Sequence, residues 1–184
     1  MRVAVGRTRR CAPAFVLLVL LAAATAMRAQ GNASDPPAAP PDPVAVIVAA
    51  DWDGFQAIDL AELRALYLGR RTRWEGRRVR PFGLPPGHPA RAAFSRAVLG
   101  RSEEALDRFW IEQALLGGAL PPREAATPAE MVRAVRTTPG AIGYLPLAGL
   151  AASGSDGVRV LGIHASDALH SPGDPGYPIT TEGP

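Results

Sequence analysis

Lysine is absent from this 184-residue sequence, cysteine occurs once and histidine only three times. The single cysteine, Cys11, excludes an intramolecular disulfide and a cysteine-based metal centre. It stands at the start of an apolar run rather than behind a small-residue motif at its end, which argues against a lipoprotein anchor. His88, His164 and His170 are not spaced at i, i+3 or i, i+4 with another ligand type on a helix, so no metal signature appears. A phosphate-cradling P-loop, a Gly-x-Gly-x-x-Gly turn and a Gly-x-Ser-x-Gly elbow are also missing, which leaves the common nucleotide-binding and hydrolase readings without support. No cofactor is expected and an enzyme is not. All 20 basic residues are arginine. Coding bias is enough to account for that, and no function is drawn from it.

The charge is unevenly placed. The sequence has a net charge of +3 and a pI near 9.7, values that invite a nucleic-acid reading. Yet Arg2, Arg7, Arg9, Arg10 and Arg28 precede Gln30 while every acidic residue follows it, so the chain from Gln30 onward has 15 arginines against 17 acidic residues, a net charge of −2. The basic balance belongs to the leader, which argues against a nucleic-acid partner. That leader has a positive n-region, an uncharged stretch of 17 residues from Cys11 to Met27, and small residues at Ala24-Thr25-Ala26, the pattern of a cleavable signal peptide over residues 1–29. Cleavage fits after Ala26 or after Ala29. The apolar stretch falls short of the roughly 20 residues that span a bilayer, so no stable membrane insertion is expected after cleavage and the periplasm is the expected compartment.

Residues 30–43 carry five prolines among Ala, Ser and Asp and form an expected linker. Val44-Ala45-Val46-Ile47-Val48-Ala49 is a continuous β-branched-rich run, the pattern of a strand buried on both faces. Asp59-Leu60-Ala61-Glu62 has capping-box spacing, and Leu60, Leu63, Leu66 and Tyr67 form one apolar face of a helix that Gly69 ends. A short strand is predicted at residues 79–84, a helix through Ala90, Phe94 and Val98 to Gly100, and a helix capped by Ser102 running to Gly117. Glu103 and Glu104 are explained there by the helix dipole. Thr127-Pro128-Ala129-Glu130 opens a further helix, and residues 141–145 and 158–163 read as strands joined through a Gly/Ser loop at 153–157. The Gly- and Pro-rich residues 165–184 are expected to be a loosely ordered tail. The sum is an α/β domain over residues 44–164, a short mixed sheet flanked by about four helices.

Four segments in this order resemble the phosphate-binding solute receptors of ABC transporters. Leu63-Arg64-Ala65-Leu66-Tyr67-Leu68-Gly69 followed by Trp74 is similar to their "helix, Phe or Tyr, x, Gly, then Trp" pattern. Residues 79–94 are similar to the strand, turn and helix that present their anion loop. Thr138-Pro139-Gly140-Ala141-Ile142-Gly143-Tyr144 matches a motif of that family residue for residue, and Gly176-Tyr177-Pro178-Ile179 weakly resembles a segment near their C-terminus. The resemblance spans residues 44–163 and lacks the family's N-terminal region, which implies a periplasmic-binding-protein-like fold in single-lobe or truncated form. It implies binding of inorganic phosphate or another small oxyanion for uptake or sensing, with an ABC transporter or other periplasmic protein as partner.

The site residues carried over are Gly87, His88, Arg91, Thr138 and Gly140. Departures from the family are concentrated there. Phosphate sites use helix N–H groups, hydroxyls and an arginine fork, but His88-Pro89-Ala90 stand at the hydroxyl-bearing turn and Leu84 at the family's arginine. The alternative is a ligand-free interaction module on a half-receptor fold. Arg70, Arg71, Arg73, Trp74, Arg77 and Arg78 are then the partner-docking candidates, unless the arginines are merely a solvated loop over a packed tryptophan. A homodimer would cover apolar surface left by a missing lobe.

Overall fold

The computed structural model describes residues 41–52 and 56–181. The expected signal peptide at 1–29, and the expected linker at 30–43 apart from its last three residues, lie outside them.

The β-branched run forms strand β1 (Val44–Ala49), every residue of which is buried. Strands β2 (Ala57–Asp59), β3 (Arg73–Trp74), β4 (Arg77–Arg78), β5 (Arg80–Gly83), β6 (Arg123–Glu124), β7 (Ala141–Pro146), β8 (Val158–Ala165) and β9 (Ala168–His170) follow along the chain. β1 lies between β7 and β8 and is antiparallel to both, with Ile47 opposite Gly143 on one side and Val160 on the other. The sheet runs β2-β8-β1-β7-β5-β6, and β9 pairs with β8. β5 is parallel to β7 and β6, and β2 to β8. Five strands therefore point one way and put their carboxyl ends along one edge, against the direction of β1. A central strand covered on both faces needs no polar alternation, which is why its sequence shows none.

Helices α1 (Leu60–Tyr67), α2 (Pro89–Phe94), α3 (Glu103–Leu115), α4 (Pro128–Thr137) and α5 (Leu147–Ser153) complete the mixed α/β architecture. α4 shows most plainly how local chemistry sets an element. Thr127 Oγ1 accepts from Glu130 N–H at 3.1 Å, while Glu130 Oε2 accepts from Ala126 N–H at 3.0 Å, so two otherwise orphaned donors are satisfied at its start. Its buried Met131, Val132 and Val135 face the sheet. The absent side chain of Gly143 admits Met131 and Val135, since a Cβ there would come within 2.5 Å of Met131 Sδ and 3.0 Å of Val135 Cγ2.

Several sequence expectations change. At α1, Asp59 Oδ1 accepts from Ala61 N–H, but Glu62 pairs with Arg71 instead of reaching back to close the capping box. The helix expected through Ala90, Phe94 and Val98 is α2 followed by one π-helical turn, Ser95–Leu99, ended by Gly100 in the left-handed region. Arg64 Nε caps that turn by donating to the Val98 carbonyl at 2.5 Å. Residues 147–153, too short and too small in side chain to show a helical period, form α5, so the Gly/Ser loop joins a helix to β8.

The expectation of a loose tail is overturned as far as residue 181. β9 pairs with β8, Tyr177 Oη donates to the Val44 carbonyl at 2.8 Å, and Val44 N–H donates to the Ile179 carbonyl at 2.9 Å. Asp42 and Thr181 exchange hydrogen bonds beside the Pro43–Thr180 bridge. Glycine and proline dominate this segment, but two buried apolar side chains, Tyr177 and Ile179, are enough to anchor it.

Candidate functional site

In open α/β sheets ligands gather outside the carboxyl ends of the strands. Here that edge includes the end of β5, and residues 84–91 follow it directly into α2. Gly87, His88 and Arg91 all stand on this segment. Thr138 and Gly140 do not join them. They precede β7 at the opposite edge, where Arg80 at the start of β5 donates its N–H to the Gly140 carbonyl at 2.7 Å. The residues carried over from the receptor resemblance thus fall into two groups at opposite ends of two parallel strands.

At the carboxyl edge the protein supplies its own occupants. His88 is the N-cap of α2, and its Nδ1 accepts from Ala90 N–H at 3.1 Å. Arg91 and Ala92 donate their N–H groups to the His88 carbonyl at 2.9 and 3.1 Å, and Pro89 has no N–H. The first turn therefore directs no main-chain donor outward. An Nδ1 that accepts is unprotonated, and partial burial holds the imidazole below its ordinary pKa of 6.5, in agreement with that role.

The arginine is likewise committed. Arg91 Nη1 donates to the Leu84 carbonyl at 2.9 Å, its Nε lies 3.1 Å from Glu103 Oε1, and its Nη2 lies 3.7 Å from Asp107 Oδ1. The Glu103 contact is an ion pair by distance but not an aligned hydrogen bond, since both atoms are buried without a hydrogen-bond partner. The side chain is only 16% exposed. Glu103, twelve positions away, was explained in the sequence by its place at a helix start. Nothing in the spacing showed that α3 would carry it onto Arg91.

Behind this pair lies a cavity of about 60 Å³ lined by Tyr67, Leu84, Arg91, Phe94, Trp110 and Tyr144 among others. Phe94 stacks on Tyr144 with ring centres 3.9 Å apart, and Tyr67 sits 4.7 Å from Phe94. Tyr67 Oη donates to the Phe82 and Ile142 carbonyls at 2.9 and 3.3 Å and so ties β5 to β7. Burial pushes the Tyr144 phenol up to about 12 and that of Tyr67 well above its usual value, so both are neutral hydrogen-bonding groups. In the sequence Tyr67 counted as part of an apolar helix face and as the aromatic of the receptor-like pattern. Its hydroxyl is a clasp, and a packing pattern gives no sign of that.

At the amino edge, Gly140 has φ of 78°, and a Cβ there would come within 2.2 Å of the Arg78 carbonyl oxygen. Its role is to let the turn lie against the basic segment. Of the docking candidates, Arg70, Arg71, Arg73, Arg77 and Arg78 are exposed. Trp74 is buried, 5.7 Å from Trp52. What the sequence suggested as a polar loop is the hairpin of β3 and β4, turning at Glu75 and Gly76, both with positive φ. A groove of about 480 Å³ runs beside it, lined by Asp51, Trp52, Arg77, Arg78, Arg80, Pro139 and Gly140.

Among the described residues no three His, Cys, Asp or Glu side chains come together as a metal site would require, and no helix is long and apolar enough to cross a membrane.

No protein-family model matches the sequence, and no curated protein matches it. The fold does match solved structures. A phosphate-binding protein structure from Planctomyces limnophilus, described as possible in that role, superposes with a TM-score of 0.58 at 14% identity, covering 78% of this chain and 52% of that one. PstS from Borrelia burgdorferi gives 0.55 at 13% identity, covering 77% and 55%. An ABC-type phosphate transport receptor from Vibrio cholerae gives 0.51 at 14%, covering 70% and 49%. The chain therefore has the fold of phosphate-receptor structures and spans about half the length of each.

Proposed function

We propose that this chain is an exported receptor-fold domain that serves a phosphate-type ABC uptake or sensing system through contacts with other periplasmic proteins, without carrying phosphate itself. One observation carries this reading. At the edge where such a fold would hold an anion, the donors of α2 are spent on His88 and the guanidinium of Arg91 on Leu84, Glu103 and Asp107. A dianion arriving there would have to displace a carboxylate from its own arginine and a cap from its own helix, and it would face the repulsion of Glu103 and Asp107. Neither reading gives the domain an enzymatic role.

A second reading, a carrier of inorganic phosphate or another small oxyanion, is favoured by the matched receptor structures and by the presence of Arg91 at the carboxyl edge. Calorimetric titration with phosphate, sulfate and small carboxylates separates the two. Silence across that panel is expected. Micromolar phosphate affinity that weakens in Arg91→Ala would establish the carrier and end the first reading. A sedimentation mass taken alongside tests the homodimer. Cell fractionation with an intact mass tests export, the expected species having lost its leader through Ala26 or Ala29.

A further inference from the structure

The β3–β4 hairpin keeps an arrangement that works against its own stability. Arg73 lies directly opposite Arg78 on a ladder of only two residue pairs, and like charges in that relation repel. Arg70, Arg71, Arg77 and Arg80 stand close by in the chain and are exposed. Arg71 is matched by Glu62, but Arg73 Nη1 donates to the Gly76 carbonyl at 2.7 Å and Arg80 Nη1 to the Pro139 carbonyl at 3.4 Å. Main-chain carbonyls are neutral and leave the charge in place. The carboxylates nearest in the segment and the groove wall are Glu75, in the turn, and Asp51. The contacts of Arg73 and Arg80 are with neutral groups, so the like-charge opposition of Arg73 and Arg78 stands.

We infer that the hairpin and the groove beside it dock an acidic, Asp/Glu-rich segment of a partner protein. This rests on the interaction reading above and names the chemistry of the partner. Guanidinium groups pair with carboxylates in fork geometry, and the groove between Arg78, Arg80 and the residues 139–140 turn is concave, with the exposed Pro139 supplying apolar wall. Two other anionic partners fit less well. A lipid surface is held by basic residues together with inserted apolar ones, but among the described residues the large exposed apolar side chains are Ile111, Leu115, Leu116, Leu120 and Leu169, none of them on the hairpin. A single nucleic-acid strand is held by stacking on open aromatic faces, but Trp52 and Trp74 are buried against each other.

The test uses the purified full chain and a fluorescein-labelled oligoglutamate peptide, with phosphatidylglycerol vesicles and an oligo-dT strand as comparison probes. The peptide is expected to bind, more weakly as salt rises. Affinity is expected to drop about tenfold or more in the Arg73→Glu/Arg78→Glu double variant. Two glutamates then face each other across the same pair, so a thermal midpoint that holds or rises is expected of the neutral Arg73→Gln/Arg78→Gln pair rather than of the reversal. Should charge reversal disturb folding, the Arg73→Gln/Arg78→Gln pair removes the same charges, and circular dichroism reports its integrity. Absence of peptide binding, peptide binding that neither pair weakens, or binding of vesicles or oligo-dT in preference to the peptide overturns the inference. A chain that ignores both phosphate and peptide loses only the hairpin assignment, whereas micromolar phosphate binding removes the interaction reading itself.

Discussion

Replacing Gly140 by alanine tests whether the most specific motif in the chain holds a ligand or holds the fold. The residue has φ of 78°, where an L side chain is strained by about 1 kcal/mol. Its new Cβ would also stand 2.2 Å from the Arg78 carbonyl oxygen, a main-chain atom that cannot swing aside. Relief requires the turn to move away from the strand, at about 1–3 kcal/mol for overpacking. It also stretches the 2.7 Å hydrogen bond from Arg80 N–H to the Gly140 carbonyl, worth about 1 kcal/mol. The expected loss is about 3–5 kcal/mol, a large part of the roughly 5–15 kcal/mol that holds an ordinary domain. At about 2–4 °C per kcal/mol for a chain of this size, the midpoint should fall by about 10 °C. Gly87→Ala is the internal control. Gly87 has φ of 79° but nothing within 4 Å of an added Cβ, so only the strain of about 1 kcal/mol applies. Urea unfolding of both variants decides the matter. If Gly140→Ala costs no more than Gly87→Ala, the close approach to Arg78 is not what this glycine serves and the structural account of the motif fails.

Two further outcomes follow from the carboxyl edge. Tyr67→Phe removes the donor shared by the Phe82 and Ile142 carbonyls in a buried setting, which should cost about 1–3 kcal/mol in urea unfolding; a change below about 0.5 kcal/mol would show that the clasp between β5 and β7 carries no weight. His88 makes the α2 cap sensitive to pH. Burial lowers its folded-state pKa, so near pH 6 the unfolded chain binds more protons than the folded one. The cap's contribution is full above 6.5 and declines as pH falls through the lower folded value. His88→Asn accepts the same hydrogen bond without titrating, so its unfolding midpoint should lose less than the wild type's between pH 7 and pH 5. Equal losses would refute the capping role.

How far the sequence reached can be judged element by element. β1, α1, α3, α4, β7 and β8 were legible because each is specified locally: a buried strand by an unbroken β-branched run, a helix by a cap and a 3.6-residue period. The α/β class and the receptor-like fold followed from the order of those elements and from the residue-for-residue match at 138–144. β2, β6 and β9 were not legible, being two or three residues long and defined only by the partners they meet. The hairpin was missed because its pairing is short and both members of the Arg73–Arg78 pair look like loop residues.

The sequence alone determined where the charge lies, which segments are apolar enough to be covered and where helices begin. Only the tertiary structure decided that Gly87, His88 and Arg91 stand at one edge of the sheet and Thr138 and Gly140 at the other, because parallel strands carry residues close in pattern to opposite ends. It also decided that Glu103 reaches Arg91 across twelve positions. Ion pairs and end-to-end separations depend on how elements pack, and packing is not written in the spacing of any one of them.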